Sequence, residues 1–250
     1  ESTVSPGSLT FTSANWDTPQ TVTVAGANDD FDDGSQLSTI TVSVVDLSSD
    51  DSFDSLDDQT VSVTTADNDV AGFTIAETDG STSVNESGTT DTFTIVLNAQ
   101  PISDVVIAIT SSDTGEATVN SPLTFTSANW DTPQTVTVTG IDDSLLDGTQ
   151  TSTFTISIVD ESTTDEFDAV ADQTVSATTT DDDVAGFTVT ETDGSTEVDE
   201  SGTTDTFTVV LDAQPTNDVV IAITSSDTGE ATVNSPLTFT SANWDTPQTV

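Results

Sequence analysis

The ten residues Ser127-Ala-Asn-Trp-Asp-Thr-Pro-Gln-Thr-Val136 occur three times in this chain, letter for letter. The tryptophans inside them are Trp16, Trp130 and Trp244, so both intervals are 114 residues. A long word recurring at a fixed, domain-sized interval marks a tandem array of one folding unit. Whatever the chain adopts must therefore close within 114 residues and then repeat. Function in such an array belongs to the repetition, and a single active site is not expected.

The period divides the sequence into residues 1–69, the C-terminal part of a unit; 70–183, a complete unit; and 184–250, the N-terminal part of a third. Residues 70–136 and 184–250 differ at only eight positions, among them Ile75/Val189, Ser83/Glu197 and Asn85/Asp199. Copies this alike indicate recent duplication or selection for length. Because the chain opens and stops inside units, it is expected to be a window on a longer protein.

Forty-five Asp and Glu stand against no Lys, Arg or His, for a formal charge of −45. No side-chain salt bridge can form, so every carboxylate must face water, a backbone donor or a bound cation. Repulsion at this density works against a compact state unless salt or divalent ions relieve it. Nucleic-acid binding is excluded, since it depends on Lys and Arg. Binding to an anionic membrane surface is excluded on the same ground, and no apolar run offers membrane insertion. Cysteine is absent, so the fold is not held by disulfides.

Strong acidity with 32% hydrophobic residues is also a disorder signature, but the apolar residues are too regularly spaced for that. Phe93, Ile95 and Leu97 alternate with polar residues, as do Phe154, Ile156 and Ile158, and Val136 and Val138. That is the period of a half-buried strand. Val105 to Ile109 is a continuous apolar run, Leu123–Phe125 is a further short strand, and the last strand lies near Gln173–Ala177. Turn residues separate them. About seven short strands with regular turn signals predict an all-β fold: an antiparallel, seven-stranded, Ig-like β-sandwich in each unit. Threonine fills most solvent-side positions, which suits a strand without adding charge. Trp130 is expected to cap the core at a turn fixed by Pro133, ahead of a role in stacking on sugar.

Nucleophilic and Schiff-base catalysis have no material here, with no His, Cys, Lys or Tyr to serve as base or nucleophile. Two carboxylates can hydrolyse glycosides, but one catalytic pair per unit would be an odd design, so no enzyme is expected. The Asp67-Asn-Asp-Val-Ala-Gly72 stretch opens like an EF-hand loop but lacks its later ligands, and the sequon Asn85-Glu-Ser87 becomes Asp199 in the next copy.

The carboxylates themselves remain. They sit in turns: Glu86, Asp113 with Glu116, Asp142-Asp143 with Asp147, and Asp181-Asp182-Asp183. Turns of a sandwich gather at its ends, and acidic turns gathered at one end are unstable unless a cation lies between them. Oxygen-only ligands suit a hard cation such as Ca²⁺. That the acidic turns are simply solvated loops stays open at this point. Asp29, Asp33, Asp67 and Asp69 match Asp143, Asp147, Asp181 and Asp183, while Asn28 and Asn68 replace acids; the earlier site is therefore expected to be weaker. Glu200 and Asp227 stand in the last copy where Glu86 and Asp113 stand in the complete one.

On Val84-Asn-Glu86, the turn around Asp113, Ile141-Asp142-Asp143 leading to Asp147, and Asp181-Asp-Asp183-Val-Ala-Gly186, the unit resembles a Calx-beta domain. That family occurs in sodium–calcium exchangers, in integrin β4 and in long arrays of bacterial surface proteins. The resemblance implies a seven-stranded sandwich that can bind Ca²⁺ at one tip, between one domain and the next. It implies as ligands Glu86, Asp113, Asp143, Asp147 and Asp181 to Asp183, with Asp142 alongside. Gly148 and Gln150 stand where the family's acidic run continues. The expectation is an extracellular or cell-surface extender, its partners being neighbouring units of the same chain, with Ca²⁺ stiffening the joints. Lateral self-association into a filament or sheath, and Ca²⁺-dependent glycan binding, are the alternatives.

Overall fold

The computed structural model describes residues 2–159 and 165–250. Residues 2–69 form two antiparallel pairs, β1 (Ser2–Ser5) with β2 (Thr23–Gly26) and β3 (Gln36–Val42) with β4 (Gln59–Thr65). The complete repeat then supplies β5 (Phe73–Glu77), β6 (Thr82–Asn85), β7 (Thr90–Leu97), β8 (Val105–Ser111), β9 (Ala117–Val119), β10 (Leu123–Phe125), β11 (Gln134–Gly140), β12 (Gln150–Ile158) and β13 (Gln173–Thr180). One helical turn, α1 (Asp165–Asp168), lies before β13. The last part carries β14 (Phe187–Glu191), β15 (Phe207–Leu211), β16 (Val219–Ile221), β17 (Leu237–Phe239) and β18 (Gln248–Thr249).

Two sheets build the complete repeat, one of order β10-β8-β12-β13-β6 and one of order β5-β7-β11-β9. Alternation decides which side chains meet between them. Phe93, Ile95 and Leu97 of β7, Val136 and Val138 of β11, and Phe154 and Ile156 of β12 are all buried, as every second residue of a half-covered strand should be. Phe125 and Phe167 complete a core whose largest members are fully enclosed. The outward positions of β12 and β13 carry hydroxyls in register: Thr151 opposite Thr178, Thr153 opposite Ser176, and Thr155 opposite Thr174.

The sandwich is as expected, with a refinement in the count. Nine strands result, because β6 and β9, which the sequence pattern does not mark, join the seven expected. After β5 the chain turns at Thr78–Gly80, where Asp79 takes φ 57, and β6 crosses to the five-stranded sheet. After β9, likewise, β10 crosses to β8. The pairing is antiparallel except for β6, which lies parallel to β13 with Thr82 opposite Ala177 and Asn85 opposite Thr180.

The repeated tryptophan word is a side-chain-stapled turn. Asn129 Oδ1 accepts the Thr126 amide at 2.6 Å and the Thr126 hydroxyl at 3.0 Å, and the Trp130 carbonyl accepts the Leu97 amide at 3.1 Å. Trp130 packs against the main core and Trp244 against a second core around Val209, Leu211, Leu237 and Phe239; Trp16 is 71% exposed. Among the described residues no helix is long and apolar enough to cross a membrane.

Candidate metal centre

Four segments converge at one end of the complete repeat. Glu86 follows β6 directly, and its amide continues the parallel ladder by donating to the Thr180 carbonyl at 3.1 Å. Alternation carries Thr82, Val84 and Glu86 onto the same inward face, which leaves Glu86 only 1% exposed. Glu116 precedes β9; its carbonyl accepts the Ile141 amide at 2.9 Å and the Thr179 hydroxyl at 3.4 Å. Asp147 comes from the loop between β11 and β12, and Asp181 and Asp183 from the segment leaving β13.

Gly140 is what lets these segments close up. A Cβ there would stand 2.0 Å from the Asn85 carbonyl oxygen, so only glycine allows the end of β11 to pass the backbone that carries Glu86.

Oxygens of Glu86, Glu116 and Asp147 lie within 4.8 Å of one another, and so do oxygens of Glu86, Asp181 and Asp183. Glu86 belongs to both groups. Both of its carboxylate oxygens are buried without a hydrogen-bond partner, as are Glu116 Oε2, Asp147 Oδ1 and Asp183 Oδ2. A buried ionised carboxylate without a partner is strongly disfavoured, and here several face one another.

The electrostatics follow from that crowding. Burial, then the charges of Asp181 and Asp143, push the Glu86 carboxyl up to about 7, with the Asp182 amide opposing them from outside hydrogen-bond geometry. Glu116 is raised by burial and by Asp147 and Asp143, and Asp183 by burial and by Asp181 and Asp182. Asp181 moves the other way. Its Oδ2 accepts the amides of Gly148 at 2.7 Å and Asp147 at 3.0 Å, and its Oδ1 accepts that of Asp183 at 2.7 Å. Led by the Gly148 bond, these three donors hold it below the usual carboxylate range. One member is thus fixed as an anion and its neighbours resist ionising beside it.

From the turn carboxylates the structure brings together Glu86, Glu116, Asp147, Asp181 and Asp183, of which Glu116 is not in the ligand set that the resemblance implies. It leaves Asp113, Asp142, Asp143 and Asp182 exposed around them. Asp113 and Asp143 are engaged locally, accepting the amides of Gly115 at 3.0 Å and Leu145 at 2.6 Å. Glu200 and Asp227 are exposed, and Asp227 caps Gly229 in the same way as Asp113 caps Gly115.

In residues 2–69 the same arrangement recurs in outline. Asp67 accepts the amides of Gly34 and Asp69, both at 2.8 Å. Asp69 is raised by burial and by Asp67, while Asp67 is lowered, first by the Asp69 amide. Asn28, Asp29, Asp33, Asp67 and Asp69 line a cavity of about 20 Å³, room for one water or ion. The amides Asn28 and Asn68 correspond to Asp142 and Asp182, both of which lie outside the cluster.

No family model and no curated protein matches the chain. Among solved structures it is similar to CBD12 from CALX1.2, at 15% identity over 70% of this chain and 72% of that one, with a TM-score of 0.32. It is similar to domains 4–9 of the surface layer protein SbsC, at 18% identity over 69% of this chain but only 26% of that one, with a TM-score of 0.30. A chaperone–tip adhesin complex of CFA/I fimbriae aligns at 8% identity over 67% and 83%, also at 0.30. At such scores these likenesses carry no argument about this chain, whose function has to be read from its own residues.

Proposed function

We propose that the chain is a structural extender, an array of β-sandwich repeats bounded at residues 69/70 and 183/184, in which Ca²⁺ fills the acidic centre at the end of each repeat. The observation that carries this is the Glu86 carboxylate: enclosed, unpartnered on both oxygens, and facing four other carboxylates in a chain with no basic side chain. The donor set fits the ion. It is all oxygen, it is anionic, and oxygens up to 4.8 Å apart can share a cation that sits about 2.4 Å from each. Mg²⁺ takes shorter bonds and keeps its waters, which suits this enclosed set less well.

One segment of the centre leads straight into the following repeat, for Asp183 is followed directly by Val184. A cation there would tie the last strand of one repeat to the hinge before the next and stiffen the array. Such a role belongs outside the cell, where free Ca²⁺ is high enough for weak sites. Melting the chain in Ca²⁺ and in chelator at fixed ionic strength tests the reading: a Ca²⁺-specific rise supports it, and equal melting in both refutes it.

A further inference from the structure

The loop between Asp143 and Asp147 has a second set of contacts, made with the repeat that follows. Gln214 donates its amide to the Ser144 carbonyl at 2.7 Å, and its own carbonyl accepts the Leu146 amide at 3.0 Å. Leu145 and Gln214 thereby form an isolated parallel bridge. One repeat earlier the first of these bonds is reproduced, from the Gln100 amide to the Asp30 carbonyl, again at 2.7 Å. Positions 30 and 144, and positions 100 and 214, are each 114 apart, so the contact has the period of the array.

The glutamine is prepared for this from its own side. Its side-chain amide is tied back, Gln100 Nε2 to the Ser127 carbonyl at 2.9 Å and Gln214 Nε2 to that of Ser241 at 3.0 Å. Buried Ala99 and Ala213 precede it, and Pro101 and Pro215 follow. A fixed φ after it and an anchored side chain hold its backbone polar groups outward. At the first joint Phe31 and Asp32 border one crevice with Gln100, Pro101, Ile102, Glu166 and Phe167. At the second, Leu145 replaces Phe31 and Thr216 replaces Ile102.

We propose that the Ala-Gln-Pro turn at 99–101 and 213–215 is a docking element whose partner is the acidic loop of the preceding copy of the same unit, so that cation loading of that loop is read out as stiffness of the joint. The second half rests on the centre being a cation site. The connection is short: Asp147 lies in the cluster, its amide is held by Asp181 at 3.0 Å, and the latch atoms on Ser144 and Leu146 precede it within the same loop.

The test uses the whole chain, which has no native cysteine, spin-labelled through Ser176→Cys and Thr190→Cys on either side of the second joint. The expected result is one narrow distance peak in Ca²⁺ and a broad one in chelator. Gln214→Pro, which removes the latch N–H, should stay broad in both while calorimetric Ca²⁺ uptake is unchanged. Gln100→Pro should leave the second-joint peak narrow, and Gln214→Ala, which loses only the side-chain anchor, should broaden it in part. A narrow peak in Gln214→Pro with Ca²⁺ would overturn the docking role. Equal widths in the wild type in Ca²⁺ and in chelator, with Ca²⁺ uptake measured by calorimetry, would overturn the coupling. No uptake at all would sink the cation site instead; the docking role then requires a wild-type peak narrower than that of Gln214→Pro without any ion, and equal widths there would overturn it.

Discussion

Asp181 accepts the Gly148 amide at 2.7 Å across a separation of 33 residues. That bond fastens the loop after β11 to the segment leaving β13, and so fixes the floor on which the other carboxylates meet. Gly148 takes φ +76 there, a conformation that glycine adopts without cost. Backbone donors alone thus hold the two acidic segments together at this point.

Glu86→Gln should separate a ligand from a structural carboxylate. Without Ca²⁺ the variant removes an enclosed charge and is expected to melt higher than wild type at pH 8. With Ca²⁺ it should gain little, because a ligand shared by both oxygen groups is gone. Thermal melts of both proteins in Ca²⁺ and in chelator check this; a wild-type-sized Ca²⁺ response in Glu86→Gln would show that Glu86 is not a ligand.

The pH dependence of the metal-free protein follows from Glu86. Its folded pKa of about 7 lies above the ordinary 4.5. Its contribution is therefore fully present below about pH 4.5 and is lost as pH rises through about 7, at a cost on the order of 3 kcal/mol. Urea midpoints in chelator should fall between pH 5 and pH 8. Protons and Ca²⁺ compete for the same oxygens, so Ca²⁺ affinity should move the opposite way, rising over that interval.

Asp183→Asn and Asp142→Asn should behave differently although both change one acid in the same end of the repeat. Asp183 offers a buried, unpartnered oxygen and Asp142 is exposed. With extracellular-type affinities near 10⁻⁴–10⁻³ M, about 10 mM Ca²⁺ stabilises by roughly 1.4–2.7 kcal/mol per site. Asp183→Asn should lose most of that in a melt and Asp142→Asn almost none.

Gly140→Ala should destabilise the complete repeat by about 1–3 kcal/mol or more, through the clash with the Asn85 carbonyl. Because that carbonyl adjoins Glu86, the variant should also weaken Ca²⁺ uptake. Denaturant unfolding and calorimetry on the same sample measure both effects.

The strands were legible because apolar residues on them keep a strict period of two, as Phe93, Ile95 and Leu97 do. The crossings from one sheet to the other were not, since Thr78–Gly80 reads as an ordinary turn whichever sheet β6 joins. In the centre, Glu86 reads as a turn acid; it is buried because it continues the phase of Thr82 and Val84 on β6, a strand the sequence pattern does not mark. Asp113-Thr-Gly115 reads as a turn in which the carboxylate caps its own backbone, which is what Asp113 does. Glu116 was marked only as an acid beside the Asp113 turn; the bonds that fix its backbone come from Ile141 and Thr179, far along the chain.

The parallel pairing of β6 with β13 has a mechanical consequence. The chain enters this pair at the Thr82 end and leaves at the Thr180 end, and Thr82 lies opposite Ala177. Tension applied through the two ends of the repeat and transmitted to this pair draws the strands past each other along their length, so the ladder bonds are loaded together in shear. An antiparallel pair pulled from one end would open one bond at a time, like a zip. The strand order thus places a shear lock between the entry and exit of the repeat, beside the carboxylates of Glu86 and Asp181.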